Sequence, residues 1–383
     1  MSDCDVKEFK LCELLKIYNG TKYDHLNKGD IPLYGSGGLM SHVDEALYSG
    51  EAILLPRKGT LSNIMYVNES FWTVDTMYYA VVNDKLADAF YLYSYLSQLD
   101  LSNLDSGSTL PSMTKSAYES IVVKLPDLKI QKAVATILFN IRKKLETNNK
   151  INQELEAMAK TLYDYWFVQF DFPDQNGKPY KSSGGKMVYN PELKREIPEG
   201  WGVSNLFDAA EVQYGYPFST DYFNSTGEGV PVIRIRDILG NDITNYSTEE
   251  VEDKYRINVG DVLIGMDGNF HMNYWIKENC YLNQRVVKVN SDKLPNMVLK
   301  YQIEPFIKLR EKSVSRTTVG HLSDKDLKAI NVILPKDKCL SSIFEKFESI
   351  LENIIINQQQ NQELTQLRDW LLPMLMNGQV KVE

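Results

Sequence analysis

The chain has 383 residues, 43% of them hydrophobic and 24% charged, with a formal net charge of −9. These are the proportions of an ordinary globular protein, and the length suits two or three domains. No run of 18 apolar residues occurs, and MSDCDVKEFK lacks a basic stretch leading into an apolar one. Neither a membrane span nor a secretory signal is expected, and a cytoplasmic location follows. Cys4, Cys12, Cys280 and Cys339 show no CxxC spacing and the four histidines are dispersed, so no metal site or disulfide framework is expected. The acidic balance argues against phosphate binding by the chain as a whole. It does not argue against basic residues gathered on one face, or phosphate contacts supplied by partners.

Residues 1–125 are rich in β-branched and aromatic residues broken by glycine turns. EAILLPR (51–57) and TMYYAVV (76–82) predict strands, and FYLYSYLSQL (90–99) a brief helix. Over 126–170 the texture changes. Val134, Leu138, Ile141, Leu145, Asn148, Asn152, Leu155, Ala159 and Leu162 follow alternating steps of four and three, a heptad seam. This helix is expected to start after Pro126 with Asp127 as its cap and to stop at Phe170-Asp171-Phe172-Pro173.

Residues 171–199 are polar and turn-rich, a surface linker by composition. Within it Asp174, Glu192 and Lys194 imitate the PD…ExK pattern of metal-dependent nucleases. That chemistry needs carboxylates on adjacent strands, and this stretch has no strand character, so the linker reading is preferred. Residues 200–334 return to the first texture: GDVLIGM (260–266) and QRVVKVN (284–290) predict strands, and MVLKYQIEPFIKLREK (297–312) a brief helix. Residues 335–377 carry a second seam of Ile343, Phe347, Ile350, Ile354, Asn357, Asn361, Leu364, Arg368 and Leu371, ending at Asn377-Gly378, and 378–383 form a tail.

The two textures are one sentence said twice. Asn152-Gln153-Glu154-Leu155 recurs as Asn361-Gln362-Glu363-Leu364, 209 positions on. The same offset places Leu125-Pro126 on Leu334-Pro335, AILLPRKGT (52–60) on DVLIGMDGN (261–269) and Gly59 on Gly268. Near the two starts it drifts to 192, where Phe9, Leu11 and Leu14 meet Trp201, Val203 and Leu206. The chain is therefore a tandem duplication. The expected fold class is α+β, with two mixed domains in tandem joined by two long helices pairing as an antiparallel coiled coil. Roughly 40 residues at about 1.5 Å each make each helix a rod of about 60 Å. Asparagine at matching seam positions costs stability and fixes register, so Asn148 is expected to face Asn361, and Asn152 to face Asn357.

No nucleotide-binding glycine loop, no GxGxxG after a strand and no N/D-P-P-Y/F tetrad occurs, so the chain does not look like an independent catalyst. What it does show is polar residues on glycine-lined loops: GSGG (35–38), PRKGT (56–60), RIRD (234–237), GMDGN (265–269), NQR (283–285) and SRTT (315–318). Their Arg, Lys, Asn, Gln, Ser and Thr can bond base edges and phosphates, and glycine allows close backbone approach. Candidate DNA contacts are Ser36, Arg57, Lys58, Thr60 and Ser108 in the first copy. In the second they are Arg234, Arg236, Asp267, Asn269, Gln284, Arg285, Arg316 and Thr317.

GSGGLMSHVDEALYSGEAILLPRKGTLSNIMYVNESFWTVDT resembles the first recognition domain of type I restriction-modification specificity subunits. VPVIRIRDI, GDVLIGMDGNF and LNQRVV resemble the second, and the stretch from LPDLKIQKAV to EIPEGW resembles the family's central spacer and linker. The second helix departs by lacking the glutamine that Gln131 supplies in the first. The resemblance implies recognition domains at 1–125 and 200–334, with spacer helices at 126–170 and 335–377 as a ruler. Each domain would read one half of an asymmetric double-stranded DNA site. It implies two methyltransferase subunits, and restriction subunits where present, which would hold the S-adenosylmethionine, ATP and Mg that this chain does not. The rival reading is a two-headed coiled-coil adaptor that binds proteins instead of DNA.

Overall fold

The computed structural model describes residues 6–101, 111–314, 320–335, 340–377 and 379–380. They fall into two compact units, Met1–Leu145 with Leu364–Glu383, and Glu146–Glu363. Both boundaries lie inside the long helices, so each helix contributes to both units. No described helix is long and apolar enough to cross a membrane.

The first unit runs β1 (Lys7–Lys10), α1 (Leu11–Leu14), β2 (Leu15–Asn19), β3 (Lys28–Gly35), β4 (Gly38–Val43), β5 (Tyr48–Pro56), β6 (Met65–Thr73) and β7 (Met77–Val82). It continues through α2 (Ala89–Leu96), α3 (Lys115–Ser120) and β8 (Val122–Leu125) into α4 (Leu128–Tyr163). The described strands form a sheet in the order β2-β7-β5-β6-β3-β4 and a separate β1–β8 ribbon. The run Ala52-Ile53-Leu54-Leu55 is apolar throughout because both of its faces are covered. Ile53 and Leu55 share a core with Phe90, Leu92, Val134 and Leu138, while Ala52 and Leu54 join Phe71 and Met77 on the other side.

The second unit holds β9 (Met187–Asn190), β10 (Arg195–Pro198), β11 (Gly202–Asn205), α5 (Leu206–Ala209), β12 (Glu211–Tyr214), β13 (Phe223–Asn224), β14 (Val230–Ile233) and β15 (Tyr246–Ser247). Then come β16 (Arg256–Ile257), β17 (Val262–Gly265), β18 (Met272–Tyr274), β19 (Cys280–Leu282), β20 (Val286–Asn290), α6 (Asn296–Val314), α7 (Asp324–Lys328), β21 (Asn331–Leu334) and α8 (Ser341–Met376). Its main sheets are β12-β20-β17-β18 and β13-β15-β14-β19-β16. The helix expected to be brief is α6, which runs 19 residues through Pro305. It buries Met297, Leu299, Ile303 and Ile307, and that packing outweighs the proline's interior penalty.

Backbone hydrogen bonds show how far the duplication goes. Ile53↔Ala80, Leu54↔Tyr79 and Leu55↔Tyr78 recur 209 positions later as Val262↔Val289, Leu263↔Lys288 and Ile264↔Val287. The parallel pairs Leu33↔Trp72 and Val232↔Tyr281 also match, with the first partners offset by 199. The drift to 192 at the starts is corrected to 195. The Leu11 amide bonds the Ile121 carbonyl, and in the second copy the Leu206 amide bonds the Ile330 carbonyl. Leu11 and Leu14 stand three apart on one helical turn, so sliding the alignment by three puts Leu14 on Leu206 and leaves the apolar pattern almost intact.

The two long helices have 36 residues each, about 54 Å of rise. The Asp127 carbonyl accepts the Ile130 and Gln131 amides at the start of α4. The helix loosens into a π-turn over Asp164–Val168, and Phe170, with φ 64, turns the chain out of it. Within the second unit the helices pair antiparallel: partners on α8 fall in number as those on α4 rise. Asn148 Nδ2 donates to Asn361 Oδ1 at 3.0 Å, and Asn357 Nδ2 to Asn152 Oδ1 at 2.9 Å. Asn361 Nδ2 also donates to Asn149 Oδ1 at 2.8 Å, and Asn152 Nδ2 to the Ile354 carbonyl at 3.2 Å. Asn148 is fully buried.

The stretch after α4 differs from a plain surface linker. Phe170, Phe172, Ile197 and Trp201 are buried in the second unit's core, with Phe172 stacked on Trp201 at 4.9 Å and on Tyr180 at 4.7 Å. It also contains strands, β9 and β10, paired Asn190↔Arg195 through Met187↔Pro198. The nuclease-like residues lie outside them. Asp174 Oδ1 caps the Asn176 and Lys178 amides, and Glu192 and Lys194 sit in the hairpin turn.

Candidate functional site

In each unit the glycine-lined loops emerge from one end of the sheet, and pairing direction explains why. In the second unit β17 ends at Gly265 opposite Val286, where β20 begins. The parallel pair β14–β19 ends at Ile233 and Leu282, at the same side. Loops 234–236, 266–271 and 283–285 therefore share an edge, joined by Gly215, whose amide bonds the Val286 carbonyl, and by Gly320, whose carbonyl takes the Gly268 amide. In the first unit the same edge collects Gly20, the Ser36–Gly37 hairpin turn, Arg57–Thr60, Val74–Thr76 and Pro111–Ser112.

The frame of this edge is duplicated bond for bond. Arg57 N to Thr76 O, Gly59 N to Pro111 O and Met113 N to Arg57 O become Met266 N to Arg285 O, Gly268 N to Gly320 O and Leu322 N to Met266 O. The isolated bridge Lys58↔Ser112 becomes Asp267↔His321. Gly59 and Gly268 hold φ of +89 and +71, the left-handed region only glycine enters freely. Gly20 and Gly215 lie flat against backbone: a β-carbon would stand 2.0 Å from the Val74 carbonyl oxygen and 1.9 Å from that of Asn283.

On that shared frame the side chains differ in kind. Position by position, Lys58 stands where Asp267 does, Thr60 where Asn269 does, Asp75 where Gln284 does, Thr76 where Arg285 does, and Ser112 where His321 does. Lys58 and Thr60 are exposed. Arg57 is half-buried, its Nη1 donating to the Asp75 carbonyl at 3.4 Å and its guanidinium 5.9 Å from the Tyr78 ring centre. The Ser36 carbonyl accepts Asn63 Nδ2 at 2.9 Å, which ties the hairpin turn to the Arg57–Thr60 loop.

In the second unit Arg234 stacks over Phe223 at 4.5 Å, while Asp237 caps the Arg234 amide at 2.9 Å. Arg236 donates to Thr244 Oγ1 at 3.2 Å. Asn269, Gln284 and Arg285 are exposed. Asp267 is held by Arg285 Nε at 3.3 Å and His321 Nδ1 at 2.7 Å. Ser108, Arg316 and Thr317 lie outside the described residues.

Sequence reasoning missed Asp75, Thr76, Ser112, His321, Gly20 and Gly215 as members of the edge. Asp75 and Thr76 follow from Gln284 and Arg285 by the 209 offset; Ser112 and His321, and likewise Gly20 and Gly215, are each other's counterparts, and backbone pairing brings them to the edge. Among the described residues no His, Cys, Asp and Glu cluster is arranged to hold a metal.

A family model described as type I restriction modification DNA specificity domain matches residues 4–157 and 198–366, one match per copy. The chain is 27% identical over 297 residues to the type I restriction enzyme MjaIX specificity subunit of Methanocaldococcus jannaschii, covering 74% of this chain and 66% of that protein. It is 28% identical over 173 residues to the EcoBI specificity subunit of Escherichia coli, covering 45% of this chain and 36% of that protein. The chain thus spans slightly less than two thirds of the first relative and just over a third of the second. The crystal structure of a type I restriction-modification S subunit from M. genitalium superposes with a TM-score of 0.68 at 15% identity, over 98% of this chain and 97% of that one, so the two share a fold. The duplicated frame and the two family matches on it mark this chain as a member of the type I restriction-modification DNA specificity family.

Proposed function

We propose that the chain is the non-catalytic, sequence-reading subunit of a type I restriction-modification complex. Residues 1–125 and 200–334 are its two target-recognition domains, each reading one half of an asymmetric bipartite double-stranded DNA site. Helices 126–170 and 335–377 set the separation of the halves, with Asn148, Asn152, Asn357 and Asn361 holding the register. Two methyltransferase subunits dock on it and carry S-adenosylmethionine, and restriction subunits, where present, hold ATP and Mg, in the cytoplasm. The carrying observation is the edge itself: one hydrogen-bonded frame occurs twice, with Lys58 replaced by Asp267 and Thr76 by Arg285. A duplicated binding module that must read two different sequences needs a constant frame and variable tips.

The test is co-expression with a methyltransferase subunit of this family, followed by affinity purification and mapping of N6-methyladenine in the host genome. Co-purification and methylation at one bipartite motif are expected. Recovery of neither the methyltransferase nor any motif would favour the adaptor reading instead.

A further inference from the structure

Asp267, Arg285 and His321 form one unit whose parts are fixed by backbone. The Asp267 and His321 backbones bridge each other, Gly268 and Leu322 bond across the same two segments, and the Arg285 carbonyl takes the Met266 amide. Three side chains therefore rise from adjoining points held by backbone bonds, where positions are defined more tightly than on free loops. The carboxylate of Asp267 is 30% exposed and sits between the two donors, its Oδ2 3.3 Å from Arg285 Nε and its Oδ1 2.7 Å from His321 Nδ1. Arg285 and His321 remain 54% and 48% exposed.

A carboxylate facing DNA unpaired would be repelled by phosphate, and one that accepted from a cytosine amino group would need a free oxygen aimed outward. Here both oxygens are engaged. Nε is the Arg285 nitrogen paired with the carboxylate, which leaves its two terminal nitrogens to form a fork, and His321 Nδ1 is engaged, which leaves Nε2. A fork of two N–H groups matches the paired O6 and N7 acceptors of guanine in the major groove.

We infer that Asp267 is a positioning residue that reads no base itself, and that it aims Arg285 at a guanine in the half-site read by the second domain, with His321 as a flanking donor. The first domain has no counterpart, since the same three places hold Lys58, Thr76 and Ser112. This rests on the DNA-reading function proposed above and names one base that the second domain requires.

The test selects a pool of randomised DNA duplexes on the full chain co-purified with its methyltransferase partner and sequences the bound fraction. The wild type is expected to enrich a bipartite motif with a guanine in one half. Arg285→Ala and Asp267→Ala should each lower the preference for that guanine about ten- to a hundredfold while leaving the other half of the motif unchanged. Arg285→Lys should fail to restore it, because an ammonium cannot form the fork. Full guanine preference in Asp267→Ala, with its loss in Arg285→Ala, would overturn the positioning role. Loss of a cytosine preference in Asp267→Ala would show that the carboxylate reads directly and would also overturn it. If the wild type enriches no motif, the DNA-reading function fails and this inference falls with it; that outcome differs from the other two because no motif exists to be altered.

Discussion

The two duplicated edges share their hydrogen bonds and differ in nearly everything mounted on them. The first carries an exposed lysine, threonines and a serine. The second carries an arginine and a histidine locked to an aspartate. The same contrast reaches the sheet beneath. Ala52 and Tyr79 in the first copy occupy the places of Asp261 and Lys288 in the second, so an apolar layer stands where its duplicate has buried charge. Backbone bonding alone is thus sufficient to fix the frame, and side chains on either face of it are free to diverge.

Four experiments would break or sharpen this contrast. The largest effect is expected where the copies agree. Gly20→Val and Gly215→Val each drive a side chain into carbonyl oxygens about 2 Å away. Each should destabilise its own unit by about 3 kcal/mol or more, read as a lowered denaturation midpoint. A large loss at one glycine and none at the other would show that the frames are not equivalent.

The second effect belongs to the second copy alone. Burial is the main cause that pushes Asp261 up to about 6, against the weaker downward pull of the Asn258 amide and Lys288. The fold holds this proton more tightly than the unfolded chain does, so the contribution of Asp261 to stability is fully present below about pH 4, is lost as pH rises through about 6 and is level above. The loss amounts to at most about 3 kcal/mol, and Asp261→Asn, which keeps an acceptor for the Asn258 amide, should flatten it in denaturant titrations at pH 4.5 and 7. An unaltered pH profile in the asparagine variant would mean that Asp261 is not its source.

Next comes the helix pair. Asn148→Ala removes the donor to Asn361 Oδ1 from the seam and should cost about 2 kcal/mol in chemical denaturation. Asn148→Leu combined with Asn361→Leu should recover most of that while loosening register, seen as altered half-site spacing in selected DNA. Smallest is Lys58→Ala, which should lower DNA affinity evenly across sequences and reduce the salt slope by about one. A change in base preference would instead make Lys58 a reader and bring the two edges closer in role.

Much of this was legible in the sequence because it was said twice. The 209 offset and the seam asparagines expose the duplication and the pairing of the helices without any structure. The start of each copy was misaligned by three, because Leu11 and Leu14 repeat at the spacing of a helical turn and cannot distinguish a slip of one turn. The linker was under-read because its order comes from Phe172 and Trp201 stacking across distant positions, which composition along the chain does not register. At the edge, composition singles out glycine-flanked polar loops and passes over Thr76, Ser112 and His321. Those residues have no local signal; they belong to the edge because partner strands deliver them there. The Asp267 clamp was unreadable for the same reason, its three members lying on three separate segments.

The stepped offsets carry a further consequence. Equivalent hydrogen bonds lie 195 positions apart at Gly20 and Gly215, 199 at Leu33 and Val232, and 209 from Ile53 and Val262 onward. The second copy therefore carries 4 extra residues before that parallel pair and 10 more after it, and the edge does not move. The strand ends behave as an origin of coordinates, and chain length is absorbed between the axes. A position in either domain is better located by its distance from a strand end than by its place in an alignment, and loops lengthened at those two intervals should leave the Arg57–Thr60 and Met266–Asn269 segments where they were.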